Sequence, residues 1–130
     1  MDASRRQARE RALEILYEAE IKHEPLQVVI DALGAAPDSF CLTLLEGTEA
    51  RRDASDQLIE KTAEHWPLDR IGTVDRLILE LAIAEMLSSD RPSNAVIINE
   101  AVELAKRFST EQSGGFINGI LAAVANGIDN

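Results

Sequence analysis

The chain has 130 residues and a formal net charge of −10, with 45% hydrophobic residues but only 4% aromatic ones. This apolar content is enough for a folded core, which excludes a disordered protein. No stretch approaches the roughly 20 apolar residues that span a bilayer, and the charged first twenty residues do not resemble a signal peptide. A single cysteine, Cys41, excludes an internal disulfide. We therefore expect one domain in the cytoplasm, without membrane association.

The hydrophobic pattern of the first half predicts helices. Apolar residues recur at i, i+3 and i+4 spacing in the first helix, and Gly34 is expected to close the second. Asp38 or Ser39 should cap the third, and Trp66–Pro67 breaks the pattern, because the residue before proline disfavours the helical region. The predicted helices of this half cover residues 3–22, 26–33 and 39–65.

The second half predicts three more helices, at residues 73–87, 94–108 and 113–126. The first of them, expected to be capped by Thr73, is apolar around nearly its whole circumference, which is typical of a helix at the centre of a domain. Asn126–Gly127 is expected to close the last helix. No sustained strand alternation occurs, so the fold class predicted is all-α.

Four arginines lie within residues 4–12 of this acidic chain. At about 100° per residue, Arg5, Arg9 and Arg6 fall at about 0°, 40° and 100° on a helical wheel, with Tyr17 at about 120°. These side chains can therefore face one anion, of which a nucleic-acid backbone is the expected kind. Three phosphate contacts on a single strand give a salt slope near −2, so binding needs base stacking or a partner as well.

Phe116 is the second candidate for a nucleic-acid contact. It follows Ser113-Gly114-Gly115, a helix start without bulky side chains, where RNA could approach the backbone and stack on the ring. The alternative interpretation is a core residue that packs with Ile120 and Val124.

Nothing in the sequence predicts catalysis, a metal site or a cofactor. His23 and His65 have no neighbouring ligand pattern, and the chain has no phosphate-binding glycine loop. Glu85 lies in the apolar arc of the central helix, where a carboxylate is most often a structural acceptor for an arginine.

Four segments together resemble the NusB family of bacterial transcription antitermination factors, in the family's order and over nearly the whole chain. They are RRQARERAL at 5–13, VDRLIL at 74–79, INEAVELAK at 98–106 and FINGIL at 116–121. The resemblance implies an all-α fold of about seven helices in two packed sub-bundles, at about 1–66 and 67–130. It implies binding to boxA RNA of ribosomal RNA operon leaders together with NusE, a small-subunit ribosomal protein, and action on elongating RNA polymerase.

The resemblance also implies a set of RNA-binding positions: Arg5, Arg6, Arg9, Tyr17, Asp75, Gln112, Gly115 and Phe116. Two of them depart from the family pattern, in which a lysine is frequent at Gly115 and an acidic residue at Gln112. The lost lysine removes a phosphate contact, whereas the lost acid removes a repulsion, so the two changes oppose each other.

Two other classes of function stay open from the sequence. The arginines could dock onto an acidic protein or a second copy of the chain, as in relatives whose homodimer covers this face. A small all-α enzyme could instead use them to hold a dianionic metabolite. For the RNA-binding interpretation, the arginine cluster is expected to flank the core, so that Arg5→Ala with Arg9→Ala should lower RNA binding and leave thermal stability unchanged.

Overall fold

A computed structural model describes residues 4–63 and 66–129. This part contains seven α-helices and one 3-10 turn, Leu68–Arg70, and no strand, so the prediction of an all-α fold is confirmed. The helices are α1 Arg5–Lys22, α2 Leu26–Asp31, α3 Ser39–Ala50, α4 Arg52–Thr62, α5 Thr73–Met86, α6 Asn94–Phe108 and α7 Ser113–Asp129.

The start of α1 is fixed by a capping box. The Ser4 hydroxyl accepts from the Gln7 backbone N–H, and the Gln7 side chain accepts from the Ser4 N–H. Two backbone donors that have no partner inside the helix are satisfied in this way. The helix ends at His23, which takes the left-handed conformation with φ 56°. The capping box therefore holds the arginines of the first turns in a helical arrangement.

The predicted third helix at 39–65 is wrong, because two helices replace it. The backbone leaves the helical path at Arg51, with φ −105° and ψ 12°. Between Leu45 and Leu58 the sequence has no large apolar side chain that would hold a continuous helix on the core. The break lets α3 bury Leu45 and α4 bury Ile59 separately.

Three predicted helix ends also differ. The second helix ends at Asp31, before Gly34, and α7 continues to Asp129 beyond Asn126–Gly127. No glycine in the described part has a positive φ, so neither glycine supplies a left-handed cap. Gly72, not Thr73, occupies the cap position of α5.

Helix α5 lies at the centre of the fold, as predicted. It packs against α1, α3, α4, α6 and α7. Its ten residues 77–86 are all buried, including Glu80 and Glu85. Each fully buried Leu or Ile contributes roughly 1.5–3 kcal/mol to the free energy of unfolding, so this helix is the main apolar contributor to stability. The division into sub-bundles at Trp66–Pro67 stays a prediction, since α5 joins both halves in one core.

No helix in the described part is both long and apolar enough to cross a membrane.

Candidate nucleic-acid interface

Arg9 is a buried arginine, with only 5% of its surface exposed. Its guanidinium donates two hydrogen bonds to Glu85 of α5, Nε to Oε1 at 3.0 Å and Nη2 to Oε2 at 2.6 Å. A second carboxylate, that of Glu100, lies 3.6 Å from Nη1. The interpretation of Glu85 as a structural acceptor for an arginine is confirmed. The expectation that the arginine cluster only flanks the core is wrong for Arg9, because a buried charge is expensive to leave unpaired.

Arg5 and Arg6 lie on either side of Arg9 and are exposed. The Arg5 guanidinium stacks on the Phe40 ring of α3, 4.1 Å from its centroid. Arg6 points the other way and donates Nε and Nη2 to Glu100 of α6, at 3.2 and 2.7 Å. This ion pair holds the pKa of Glu100 below its usual range. Arg6 and Arg9 therefore meet at the Glu100 carboxylate, while Arg5 lies against Phe40, so the three guanidinium groups do not converge on one site.

Arg6 lines the α1–α6 groove, which has a volume of about 240 Å³. Two more cations line it, and each is matched by a carboxylate: Arg107 Nη1 lies 3.0 Å from Glu10, and Lys106 lies 3.5 Å from Glu103. Its lining comprises Arg6, Arg9, Glu10, Glu100, Glu103, Leu104, Lys106 and Arg107. An anion that enters the groove must displace or share these acids.

Tyr17 extends the same face of α1. It lies seven residues beyond Glu10, which is two turns, or about 10 Å, along the helix axis. Tyr17 is 42% exposed, so a large part of the residue is accessible to a ligand.

The α7 cavity, of about 220 Å³, brings together three predicted positions from separate elements. Asp75 of α5, Gln112 before α7 and Phe116 in the first turns of α7 all line it, together with Trp66, Arg70, Ile71, Gly72, Thr110 and Ser113. Phe116 is half-buried and packs against the core with part of its ring. Phe116 therefore packs partly against the core and also lines the cavity.

The Asp75 carboxylate fixes the turn between α6 and α7. It accepts from the Ser109 hydroxyl at 2.5 Å and from the Ser113 hydroxyl at 2.9 Å. The Ser113 hydroxyl in turn accepts from the Thr110 backbone N–H at 3.2 Å. Asp75 therefore sets where α7 begins, and with it the position of Phe116.

Gly115 is exposed at the start of α7, and a Cβ there would meet no atom within 4 Å. The backbone at this position is thus open to a close approach, as the sequence predicts. Whether Gly115 and the other predicted positions contact RNA stays a prediction.

The α1–α6 groove and the α7 cavity adjoin along the chain, at the end of α6. Arg107 lines the groove and Thr110 lines the cavity, three residues apart and so at most about 11 Å along the chain. Among the cationic and aromatic lining residues of the two sites, sequence reasoning missed four: Trp66, Arg70, Lys106 and Arg107. The lone tryptophan before Pro67 and the basic end of α6 were the available signals.

Neither surface has the features of a catalytic or metal centre. The described residues contain no group of three or more His, Cys, Asp or Glu side chains that could hold a metal. Burial raises the pKa of the Cys41 thiol to about 11, which is the opposite of an activated nucleophile.

These features define a class of protein: an all-helical domain with an arginine-lined groove and an adjoining aromatic cavity. The NusB family model matches residues 6–126. The chain belongs to the NusB family, which confirms the resemblance and identifies it as a non-enzymatic transcription antitermination factor.

Individual relatives agree. The NusB protein of Salinispora tropica is 40% identical over 129 residues, which span 94% of this chain and 95% of that protein. That of Acidothermus cellulolyticus is 42% identical over 125 residues, or 93% and 86%. Among solved structures, NusB of T. maritima superposes with a TM-score of 0.87 at 34% identity, over 97% of this chain and 93% of that one. NusB in a complex with NusE and double-stranded RNA gives 0.76 at 26%, over 95% and 96%.

Proposed function

We propose that this protein binds the boxA RNA of ribosomal RNA operon leaders together with NusE, and that the assembly acts on elongating RNA polymerase. The observation that carries the proposal is the adjoining pair of sites at the end of α6. The α1–α6 groove offers cations for phosphates, and the α7 cavity offers Phe116 and Trp66 for bases. A single strand needs both kinds of contact for useful affinity.

The individual positions have different parts in this proposal. Arg5 and Arg6 hold phosphates from the exposed sides of α1, and Tyr17 and Phe116 stack on bases. Arg9 remains a proposed RNA contact. Its two hydrogen bonds to Glu85 also position the helical turn that carries Arg5 and Arg6. Asp75, Gln112 and Gly115 are proposed contacts at the α7 cavity.

The charges of the groove explain why a protein partner is needed. Each of Arg6, Lys106 and Arg107 is within 3.5 Å of a carboxylate, so phosphates gain little over the acids that they replace. A partner that brings its own cations adds affinity and suits the net charge of −10. The likeness to a NusB that was solved with NusE and RNA supports the same arrangement.

Two variants and one matched control test the proposal. Arg6→Ala should remove one phosphate contact, which lowers the salt slope by about 0.7 and the affinity about five-fold at 0.1 M salt. Phe116→Ala should cost about 1–3 kcal/mol of binding free energy with the slope unchanged. Arg11→Ala is the control, because Arg11 is exposed on the same helix and has no ion pair within the described residues.

The measurement is fluorescence anisotropy of a labelled boxA RNA at several salt concentrations. Equal effects of Arg6→Ala and Arg11→Ala would indicate general electrostatics and contradict the groove. A large fall in the melting temperature of Phe116→Ala, with unchanged RNA affinity in the folded protein, would assign that ring to the core alone.

A further inference from the structure

Arg51, at the break between α3 and α4, is a cation for which neither the fold nor the proposed RNA site accounts. It is half-buried, and no hydrogen bond or ion pair engages its guanidinium within residues 4–63 and 66–129. Its neighbour Arg52, by contrast, reaches Glu49 and Glu20. An arginine that is partly removed from water without a carboxylate is available to an external anion.

Gly47 lets Arg51 fold back across α3. A Cβ at Gly47 would lie 2.7 Å from Arg51 Nη1, which is closer than such atoms approach. The guanidinium therefore lies against the helix at a position that only glycine leaves free. This packing directs the side chain into a groove instead of into open solvent.

That groove, the α3 groove, has a volume of about 420 Å³ and lies between α3 and the end of α5. Arg5 and Arg51 both line it. The Arg5 guanidinium stacks on the Phe40 ring and, like that of Arg51, has no carboxylate partner in the described part. Hydroxyl groups of Ser39 and Ser89 also line it, whereas those of Thr43 and Ser88 already donate to the backbone carbonyls of Ser39 and Glu85. Two guanidinium groups with neighbouring hydroxyls are donors that a phosphate prefers.

Two carboxylates also line the α3 groove, but they do not neutralise the positive charge of its two arginines. Glu85 is neutralised by its two hydrogen bonds from Arg9. Asp90 is exposed at the rim, where water screens its charge. The groove is thus locally cationic in a chain of net charge −10.

The α3 groove is continuous with the proposed RNA surface. It shares Arg5 and Asp90 with a second cavity, of about 480 Å³, that also contains Arg9 and Glu100. Those last two residues line the α1–α6 groove as well. One path therefore runs from Arg107 past Arg6 and Arg5, around the start of α1, to Arg51.

We propose that Arg51 and Arg5 form a terminal phosphate subsite in the α3 groove, which holds the RNA backbone where it leaves the α1–α6 groove. This inference rests on the proposed function and adds to it a residue and a direction for the strand. A protein carboxylate is the rival occupant, and continuity with the RNA path favours the phosphate.

The test uses single-stranded boxA RNA of about 16 nucleotides, shortened stepwise from each end, a range that matches known single-strand site sizes. Arg51→Gln should weaken binding of the longest RNA about five-fold at 0.1 M salt and lower the salt slope by about 0.7. For the shortest RNA that still binds, the variant and the wild type should have equal affinity, because that RNA does not reach the α3 groove. Arg51→Met, which keeps an unbranched side chain without the charge, should give the same result if Arg51→Gln folds poorly.

Lys61→Gln is the matched control, since Lys61 is an exposed cation at the end of α4 without an ion pair in the described part. The subsite is overturned if Arg51→Gln equals the wild type at every length, or if Lys61→Gln has the same effect. It is also overturned if Arg51→Gln weakens binding of NusE and leaves RNA affinity unchanged, which would assign the groove to a protein. A wild-type protein that binds no boxA RNA, with or without NusE, would instead contradict the proposed function itself.

Discussion

At the scale of single residues, Arg9 differs from the exposed arginines of the cluster, because its buried ion pair with Glu85 contributes to stability. Arg9→Ala leaves the Glu85 carboxylate buried without its partner, and such a change costs about 3–5 kcal/mol of unfolding free energy. We expect a melting temperature that is lower by many degrees, measured by thermal unfolding. Arg6→Ala, which removes an exposed arginine from the same helix, should change it far less. Equal stability of the two variants would contradict the buried pair.

Glu80 is a second buried carboxylate, and its environment differs from that of Glu85. It is fully buried in α5 and accepts from Arg76 Nη1 at 3.0 Å, while Arg52 Nη1 lies 4.0 Å away. Burial and, next to it, the neighbouring Asp56 side chain raise the pKa of Glu80 from 4.5 to about 8, against the opposite effect of the two arginines.

This pKa predicts how stability depends on pH. Between pH 4.5 and about 8 the folded protein keeps a proton on Glu80 that the unfolded chain has lost. Stability should therefore fall as the pH rises through this window, by up to about 1.4 kcal/mol per unit, and then level off. Glu80→Gln cannot ionise and should give a flatter profile in urea unfolding. Glu60→Gln, at an exposed position of α4, is the control, and identical slopes for Glu80→Gln and wild type would contradict the account.

At the scale of elements, the turn between α6 and α7 decides how the α7 cavity is presented. If Asp75 acts by positioning, Ser109→Ala with Ser113→Ala should weaken RNA binding as much as Asp75→Ala does, because either change releases the start of α7. Each should also lower the free energy of unfolding by about 1–3 kcal/mol, since buried polar groups lose their partners. RNA titration with thermal unfolding checks both. Weaker binding in Asp75→Ala alone would make Asp75 a direct RNA contact.

The sequence predicted the elements best where the apolar period was continuous. Helix α6 was predicted as 94–108 and occurs as Asn94–Phe108, with the Ser93 hydroxyl accepting from Val96 N–H at its start. The prediction for 39–65 failed because a helical period on each side of Arg51 reads as one helix. The interval without large apolar residues between Leu45 and Leu58 was the available signal for the break, after which α3 and α4 pack on α5 separately.

The candidate site was less predictable than the helices. A helical wheel groups Arg5, Arg6 and Arg9 on one face. Their partners in the fold come from distant parts of the chain, and Glu85, for example, is 76 positions from Arg9. Burial of an arginine depends on such partners, so the wheel cannot distinguish a phosphate ligand from a core ion pair. The cations of α6 and Arg51 were missed for the same reason, because only the fold brings them beside α1.

At the scale of the whole molecule, a net charge of −10 disfavours RNA binding in general, and the cations of the proposed path are the exception. That path has about four exposed cations, and most of them share a carboxylate, so the protein alone should have a shallow salt dependence of binding. A second protein that supplies cations would raise the affinity and steepen this dependence. We therefore expect RNA binding to depend on cooperation with a protein partner.

The most direct test is a titration of boxA RNA and of a scrambled RNA of equal length, with and without NusE, at several salt concentrations. We predict weak binding by the protein alone, and tighter binding with a preference for boxA when NusE is present. No preference for boxA in either condition, or equal affinity with and without NusE, would contradict the account.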